Sequence, residues 1–182
     1  MKRIDLDTDL YLIEDFFSVQ ECDDLIIWSE QTGFEEAKVQ VDGQEIMLKG
    51  IRNNSRILLT DVDLAKRIWN RFEAYAVTPF ENSTAIGLNE LFRFYKYEPN
   101  QRFKKHRDGS FIRNDEEVSL FTFMIYLNDD FEGGETSFEN CIVKPKKGTA
   151  LVFHHPLKHT GETVLSGVKY ALRTDVMYKL QS

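Results

Sequence analysis

The sequence predicts a mainly β protein with flanking α-helices, its core a sandwich or jelly roll, and three observations carry that expectation. After about residue 88 the chain breaks into short runs rich in Val, Ile, Phe, Tyr and Thr, separated by turn signals at NDDFEGG, PKKG and LSG. Helices are not interleaved with those runs, which points away from βαβ units and towards packed antiparallel sheets. A length of 182 residues with 42% hydrophobic and 29% charged content suits one globular domain, large enough to bury on the order of 70% of its unfolded surface. The expected organisation is a single domain over 1–182, with helices and a hairpin over about 1–87 and the β core over about 88–180.

Taken in order, SVQECDDLIIWSEQTGF opens on Ser18 and Glu21, the S-x-x-E spacing of a capping box. Leu25, Ile26 and Trp28 follow at amphipathic spacing, so a helix is expected to end near Gly33. In VQVDGQEIML, Asp42-Gly43 sits between two alternating runs, the chemistry of a two-residue hairpin turn. Gly50 to Arg56 is polar and reads as a loop and a candidate lid, with Asn53, Asn54 and Arg56 either approaching substrate or simply on the surface. A second helix is expected behind Thr60 and Asp61, where Leu64, Ile68, Phe72 and Tyr75 keep helical spacing. Strands are expected near 90–97, 101–107, 118–128, 136–144, 149–155 and 168–178, with a short one before Gly167. In LFRFYKY most rings belong to the core, and Tyr97 is the one nominated for a pocket. Asn128, Gly133 and Gly134 read as turn residues.

The formal net charge of -7 argues against nucleic acid as a partner, because that affinity needs clustered Lys and Arg. One local exception is the run Arg93, Lys96, Arg102, Lys104, Lys105 and Arg107, either a solvated strand face or an attractor for an acidic substrate. In the opening MKRIDLDTDLYLIEDFF, acidic residues interrupt every apolar stretch. No signal peptide or membrane span is expected there, and the expected setting is cytoplasmic. Cys22 and Cys141 are too few for a disulfide framework and are expected to be buried thiols.

Chemistry enters at FKKHRDGSF. On an extended segment His106 and Asp108 point the same way, roughly 6–7 Å apart at the backbone, close enough for one cation to bridge their tips. By itself the tripeptide is weak, since His-x-Asp arises by chance in an acidic chain. A second source of imidazoles is FHHPLKH, with His154, His155 and His159. The spacing of His155 and His159 suggests a zinc-binding helix, but Pro156 between them breaks that helix. On a strand the two lie about 13 Å apart, so at most one joins a given metal; His159 is preferred for the resemblance given below. Two imidazoles and one carboxylate leave coordination positions open, the arrangement of non-haem Fe(II) oxygenases, whereas structural zinc prefers four closed ligands. A 2-oxoglutarate co-substrate would chelate such an iron and need a buried cation for its C5 carboxylate. Lys169 and Arg173 are the candidates. If Ser166-Gly167 closed a regular hairpin, Lys169 would fall opposite Val164, on the wrong face and roughly 16 Å from His159. The site therefore requires the chain to cross between sheets after His159, and pattern alone does not decide that.

The pieces FYKYEPNQRFKKHRDGSF, FTFMIYLNDDFEGGETSFE and VKPKKGTALVFHHPLKHTGETVLSGVKYALRTDVMY, preceded by IEDFFSVQECDDLI, resemble the prolyl 4-hydroxylase-like group of Fe(II)- and 2-oxoglutarate-dependent dioxygenases. They run in that family's order over most of residues 13 to 178. The resemblance implies a double-stranded β-helix core, a cupin-like jelly roll with the required crossing. It implies that His106, Asp108 and His159 bind Fe(II), that Lys169 holds the 2-oxoglutarate C5 carboxylate, and that Tyr97 contacts the co-substrate. Arg173 stays a second cation for that carboxylate, and Asn100 stands where the family often has Gly. The implied reaction hydroxylates a C–H bond with O2 and converts 2-oxoglutarate to succinate and CO2, with ascorbate as reductant. A prolyl or other peptidyl side chain is the first substrate implied, a free small molecule the second. A non-catalytic metal- or 2-oxoglutarate-binding sensor is the alternative of another class. No membrane partner is expected.

Overall fold

The computed structural model describes residues 1–37, 39–41, 44–46 and 50–181. Strands β1 (Lys2–Asp7) and β2 (Leu10–Glu14) precede helix α1 (Val19–Thr32), and three short strands follow, β3 (Glu35–Glu36), β4 (Val39–Val41) and β5 (Gln44–Ile46). Then come β6 (Ser55–Thr60), α2 (Val62–Phe72) with a 3-10 turn over Glu73–Tyr75, β7 (Ser83–Leu88), β8 (Leu91–Tyr97) and β9 (Phe103–His106). The remainder is β10 (Glu117–Tyr126), β11 (Glu132–Gly133), β12 (Thr136–Ser137), β13 (Ile142–Val143), β14 (Ala150–His154), β15 (His159–Gly161), β16 (Val164–Ser166) and β17 (Lys169–Leu180).

A large antiparallel sheet runs β1-β2-β14-β10-β17-β8-β6-β3, with β7 joining the far half of β17. A small sheet runs β13-β12-β15-β9, and β11 pairs β16 beside it. Side-chain alternation divides the large sheet into two faces. Phe92 and Phe94 of β8, Phe121, Phe123 and Ile125 of β10, Val152 of β14 and Leu172 and Val176 of β17 enter one apolar core with Leu64, Ala65, Ile68 and Phe72 of α2. Their neighbours Tyr95, Tyr97, Thr122, Met124, Phe153, Lys169, Ala171 and Arg173 face the other way and line a pocket whose opposite wall is Phe103, His106, Thr136 and His159 of the small sheet. The result is a mostly β jelly roll with helices packed outside one face, as expected.

Both helices start where their side chains stop the backbone. Ser18 Oγ accepts the Glu21 N–H at 3.2 Å while Glu21 Oε2 accepts the Ser18 N–H at 2.8 Å, and Gly33 takes φ 87 at the far end. Asp61 caps α2 by accepting the Leu64 N–H at 2.8 Å, so of the two caps considered Asp61 is the one used. Within that core the Phe123 ring lies 5.2 Å from that of Phe16 and 4.8 Å from that of Phe72, both edge-on. Among the described residues no helix is long and apolar enough to cross a membrane.

Three expectations change. The N-terminal part is more than helices and a hairpin: β1, β2 and β6 are strands of the large sheet. In β1 nearly every side chain is exposed, so apolar alternation is missing, and in β2 Leu10, Tyr11 and Ile13 are all buried, so it reads as a continuous apolar run. The single strand over 136–144 is instead two short strands joined by a turn closed by Phe138 N–H to Cys141 O at 2.8 Å. The polar segment before β6 is not a surface loop: Arg52 and Asn54 are buried, and Arg52 bridges Phe103 of β9. The hairpin strands pair Val39 with Ile46; its turn residues Asp42 and Gly43 lie outside the described residues. Cys22 is buried and Cys141 only partly so.

Candidate active site

Two strands of the small sheet bring the imidazoles together. β9 ends at His106, β15 begins at His159, and the two residues are paired in register, their ring centroids 4.2 Å apart. Each ring is fixed by its own chain: His106 Nδ1 lies 2.8 Å from Lys104 O and His159 Nδ1 lies 3.0 Å from Leu157 O. A carbonyl only accepts, so each Nδ1 carries the proton and each Nε2 keeps a free lone pair. Phe103 stacks on His106 with centroids 3.5 Å apart, and Phe153 meets His159 edge-on at 4.6 Å.

Both Nε2 atoms face Asp108. His106 Nε2 is 3.6 Å from Asp108 Oδ1 and His159 Nε2 is 3.8 Å from Asp108 Oδ2. One donor atom from each of the three residues lies within 4.8 Å of the others. Burial would raise the Asp108 pKa, but the Arg173 guanidinium and the two imidazoles overcome it and hold the carboxyl well below its usual range. Burial also pushes His159 down to about 4, against the pull of Asp108, so its ring is neutral at ordinary pH. The group is thus two imidazole nitrogens and one carboxylate on one side of a pocket, a set suited to a divalent transition metal with positions left open.

The other histidines are elsewhere. His154 packs its ring 4.9 Å from Phe80 and 5.2 Å from Phe121. His155 is buried with both ring nitrogens engaged by Thr122 and Ser119, and it is held neutral because burial pushes it down to about 4.

After β15 the chain leaves the small sheet, pairs β16 with β11, and enters the large sheet as β17, with Lys169 directly opposite Tyr97 of β8. This crossing puts Lys169 in the same pocket as the three candidate ligands. Lys169 is 4% exposed. Its Nζ donates to Gly134 O at 2.5 Å and lies 5.4 Å from the rings of both Tyr97 and Tyr126. Burial pushes its pKa down to about 8, opposed by Glu135 at longer range. Among the described residues it contacts no carboxylate. Arg173 differs: Nη1 is 3.1 Å from Asp108 Oδ1 and Nη2 is 3.0 Å from Asp175 Oδ1. Its charge is already matched twice.

The pocket and the residues packed behind it are only partly readable in the sequence. Tyr95 shares its strand face with Tyr97, a signal present in the i, i+2 spacing. Arg52 lies in a polar stretch that gives no sign of burial, yet its guanidinium sits 4.4 Å from the Tyr95 ring and 4.5 Å from the Phe103 ring. Asn54 and Asn53 pin that segment rather than reach into the pocket: Asn54 Oδ1 accepts Arg52 Nε at 2.6 Å, and Asn53 Oδ1 accepts the Arg102 N–H at 2.8 Å. In the basic run, Arg93 pairs with Asp175 and Lys96 with Glu30. Asn100 adopts φ 70, the left-handed conformation that Gly or Asn accepts most readily.

With this geometry in place, comparison with known proteins agrees on one family. A family model described as the 2OG-Fe(II) oxygenase superfamily matches residues 92–174. Prolyl 4-hydroxylase 1 of Arabidopsis thaliana is 28% identical over 89% of this chain and 66% of its own length. This chain spans 66% or less of the length of the curated relatives it matches. Among solved structures, a viral collagen prolyl hydroxylase from Paramecium Bursaria Chlorella virus-1, in its 2OG complex, superposes with TM-score 0.67 at 23% identity, covering 93% of this chain and 96% of that one. A prolyl hydroxylase from Trichoplax adhaerens, in complex with a hypoxia inducible factor oxygen degradation domain peptide fragment, gives TM-score 0.70 at 16% identity, over 95% of this chain and 84% of that one. These two likenesses establish the fold. On that fold the segment over residues 92–174 matches the 2OG-Fe(II) oxygenase superfamily model, and the His-Asp-His cluster of the pocket lies within that segment.

Proposed function

We propose that this protein is an Fe(II)- and 2-oxoglutarate-dependent hydroxylase whose substrate is a prolyl or other peptidyl side chain. The observation that carries the reading is one pocket that holds both an open three-donor set, His106, Asp108 and His159, and a buried cation, Lys169, that contacts no carboxylate among the described residues. The donor set fits Fe(II): two imidazole nitrogens with free lone pairs and an ionised carboxylate, with no fourth His, Cys, Asp or Glu joining the cluster among the described residues. When bound, iron, 2-oxoglutarate and O2 supply the oxidation that places one oxygen atom in a substrate C–H bond and leaves succinate and CO2.

The chain's own residues do the rest. His106 and His159 present Nε2 because backbone carbonyls hold Nδ1. Lys169 receives the C5 carboxylate of 2-oxoglutarate, a charge-assisted contact in a site with little water. Tyr97, across the strand pair from Lys169, keeps its proton because burial pushes its pKa up to about 12, and serves as a hydrogen-bond donor at that end. Phe103 and Phe153 wall the imidazoles and exclude water. Arg173 serves Asp108, and is therefore not the partner of the co-substrate. A peptide substrate is supported by a curated relative named as a prolyl 4-hydroxylase and by a structural neighbour solved with a peptide.

The test is succinate formation by the purified, metal-stripped protein given Fe(II), 2-oxoglutarate, ascorbate as reductant and air, first alone and then with proline-containing peptides. Succinate that depends on iron and is lost in His106→Ala, with one oxygen atom added to a peptide, is the expected result. No succinate, together with no visible charge-transfer band on anaerobic mixing with Fe(II) and 2-oxoglutarate, would overturn the reading. The chelate band without turnover would instead make the protein a sensor.

A further inference from the structure

Behind Asp108 lies a hydrogen-bonded chain that the proposed reaction leaves unused. Thr122 Oγ1 donates to Asp108 Oδ2 at 2.6 Å and lies 3.1 Å from His155 Nδ1. His155 Nε2 lies 3.0 Å from Ser119 Oγ, and Ser119 Oγ accepts the Phe111 backbone N–H at 2.7 Å. One arrangement of protons satisfies every contact. A carboxylate only accepts, so the single hydroxyl proton of Thr122 goes to Asp108, and Thr122 oxygen accepts from His155 Nδ1–H. The lone pair on His155 Nε2 then accepts the Ser119 hydroxyl proton, which leaves the Ser119 oxygen to accept from Phe111. Ser119, Thr122 and His155 are 0%, 1% and 2% exposed, so water offers no substitute partner.

Each member of the chain thus determines the next. Ser119 selects the tautomer of His155, His155 points the Thr122 hydroxyl, and Thr122 holds Oδ2 while Arg173 holds Oδ1 from the other side at 3.1 Å. The carboxylate is clamped at both oxygens before any metal arrives, so it cannot swing away from the two imidazoles. The same chain ends on Phe111, in the segment just past Asp108 where Phe111 and Ile112 are exposed.

We infer that Thr122 and His155 are positioning residues for the metal: His155 fixes the Thr122 hydroxyl, and that hydroxyl fixes Asp108 in its ligating orientation. This rests on the reading of His106, Asp108 and His159 as metal ligands. It extends that reading to two residues that touch no metal and whose spacing in the sequence links them to nothing.

The experiment is calorimetric titration of Co(II) into the metal-stripped full chain, comparing the parent with Thr122→Val, Thr122→Ser, His155→Leu and His155→Asn, each checked for its fold by circular dichroism. Thr122→Val keeps the shape and removes the hydroxyl; Thr122→Ser keeps the hydroxyl. His155→Asn retains an N–H donor where Nδ1 stood, and His155→Leu does not. Loss of an outer partner typically weakens a metal site about 10–100-fold. Thr122→Val and His155→Leu are therefore expected to bind Co(II) at least about tenfold more weakly, with Thr122→Ser and His155→Asn close to the parent. Equal affinity in Thr122→Val and the parent would overturn the inference, as would an equal loss in Thr122→Ser and Thr122→Val, which would make packing the cause. Should the His155 variants not fold, the two Thr122 variants decide alone. If the parent itself takes up no Co(II), the ligand assignment falls, and this inference falls with it.

Discussion

Lys169 and Arg173 lie four residues apart on the same face of one strand, and their partners separate their duties. Arg173 contacts two carboxylates and Lys169 contacts none among the described residues. Removing Lys169 deletes a charge-assisted hydrogen bond worth about 1.5–3 kcal/mol, so Lys169→Ala should raise the KM for 2-oxoglutarate about 10–100-fold and leave Co(II) affinity nearly unchanged. Arg173→Met should do the opposite. It strands the buried Asp108 charge, at a typical cost of about 3–5 kcal/mol, so urea denaturation of the metal-free protein should show a large loss of stability that added metal partly restores. A large KM effect in Arg173→Met with none in Lys169→Ala would reverse the assignment. The pH dependence has a defined sign. Burial lowers the Lys169 pKa from 10.5 to about 8, so the cation is present below that pH and lost as pH rises through it. Binding of 2-oxoglutarate should therefore be level near pH 7 and weaken by up to about tenfold per unit above pH 8. In Lys169→Arg, which stays charged to above pH 12, that fall should vanish.

At the scale of elements, the joint that matters is where β11 and β16 turn the chain from one sheet to the other. Gly133 has φ 74, and a Cβ there would lie 2.3 Å from Thr163 O, a backbone atom that cannot step aside. Gly134 has φ 66 and offers its carbonyl to Lys169, and a Cβ there would lie 3.2 Å from Lys169 Cδ. Left-handed backbone costs an L-residue about 1–2 kcal/mol. Gly134→Ala should lose about that much stability and also raise the KM for 2-oxoglutarate by displacing Lys169. Gly133→Ala should lose clearly more, because the strand pair itself must shift. Urea midpoints for the two variants check the order. The turn character of this Gly-Gly pair is readable in the sequence, as are the Ser18 and Glu21 capping box, the alternation in β8, β10 and β17, and His106 with Asp108, because each depends on neighbours within a few residues. What cannot be read depends on distant partners. β1 is exposed on both faces and shows no pattern, Arg52 is buried only because Tyr95 and Phe103 cover it, and Thr122 acquires meaning only when β10 is laid beside Asp108.

For the whole molecule, the candidate ligands come from the loop after β9 and from two strands of the small sheet, while the groups that hold Asp108, Thr122 and Arg173, come from the large one. An unfolded chain therefore presents no such site, and metal binding is linked to folding. At a free metal concentration of 100 times Kd the stabilisation is about 2.7 kcal/mol. For a chain of this length, about 2–4 °C per kcal/mol makes that a rise in Tm of roughly 5–10 °C, followed by a further rise when 2-oxoglutarate is added. Two controls tie the shift to the pocket. In His106→Ala the metal-free Tm should stay near that of the parent while the metal-dependent rise disappears, because a surface-facing edge of the site is lost and the core behind β8, β10 and β17 is untouched. In Lys169→Ala the metal-dependent rise should persist and only the increment from 2-oxoglutarate should vanish. Thermal scans with Co(II), with Co(II) plus 2-oxoglutarate, and after chelation would separate the two. A rise that survives in His106→Ala would mean that the metal stabilises the chain from a different place, most simply its acidic surface, and that the pocket between the sheets is not where it binds.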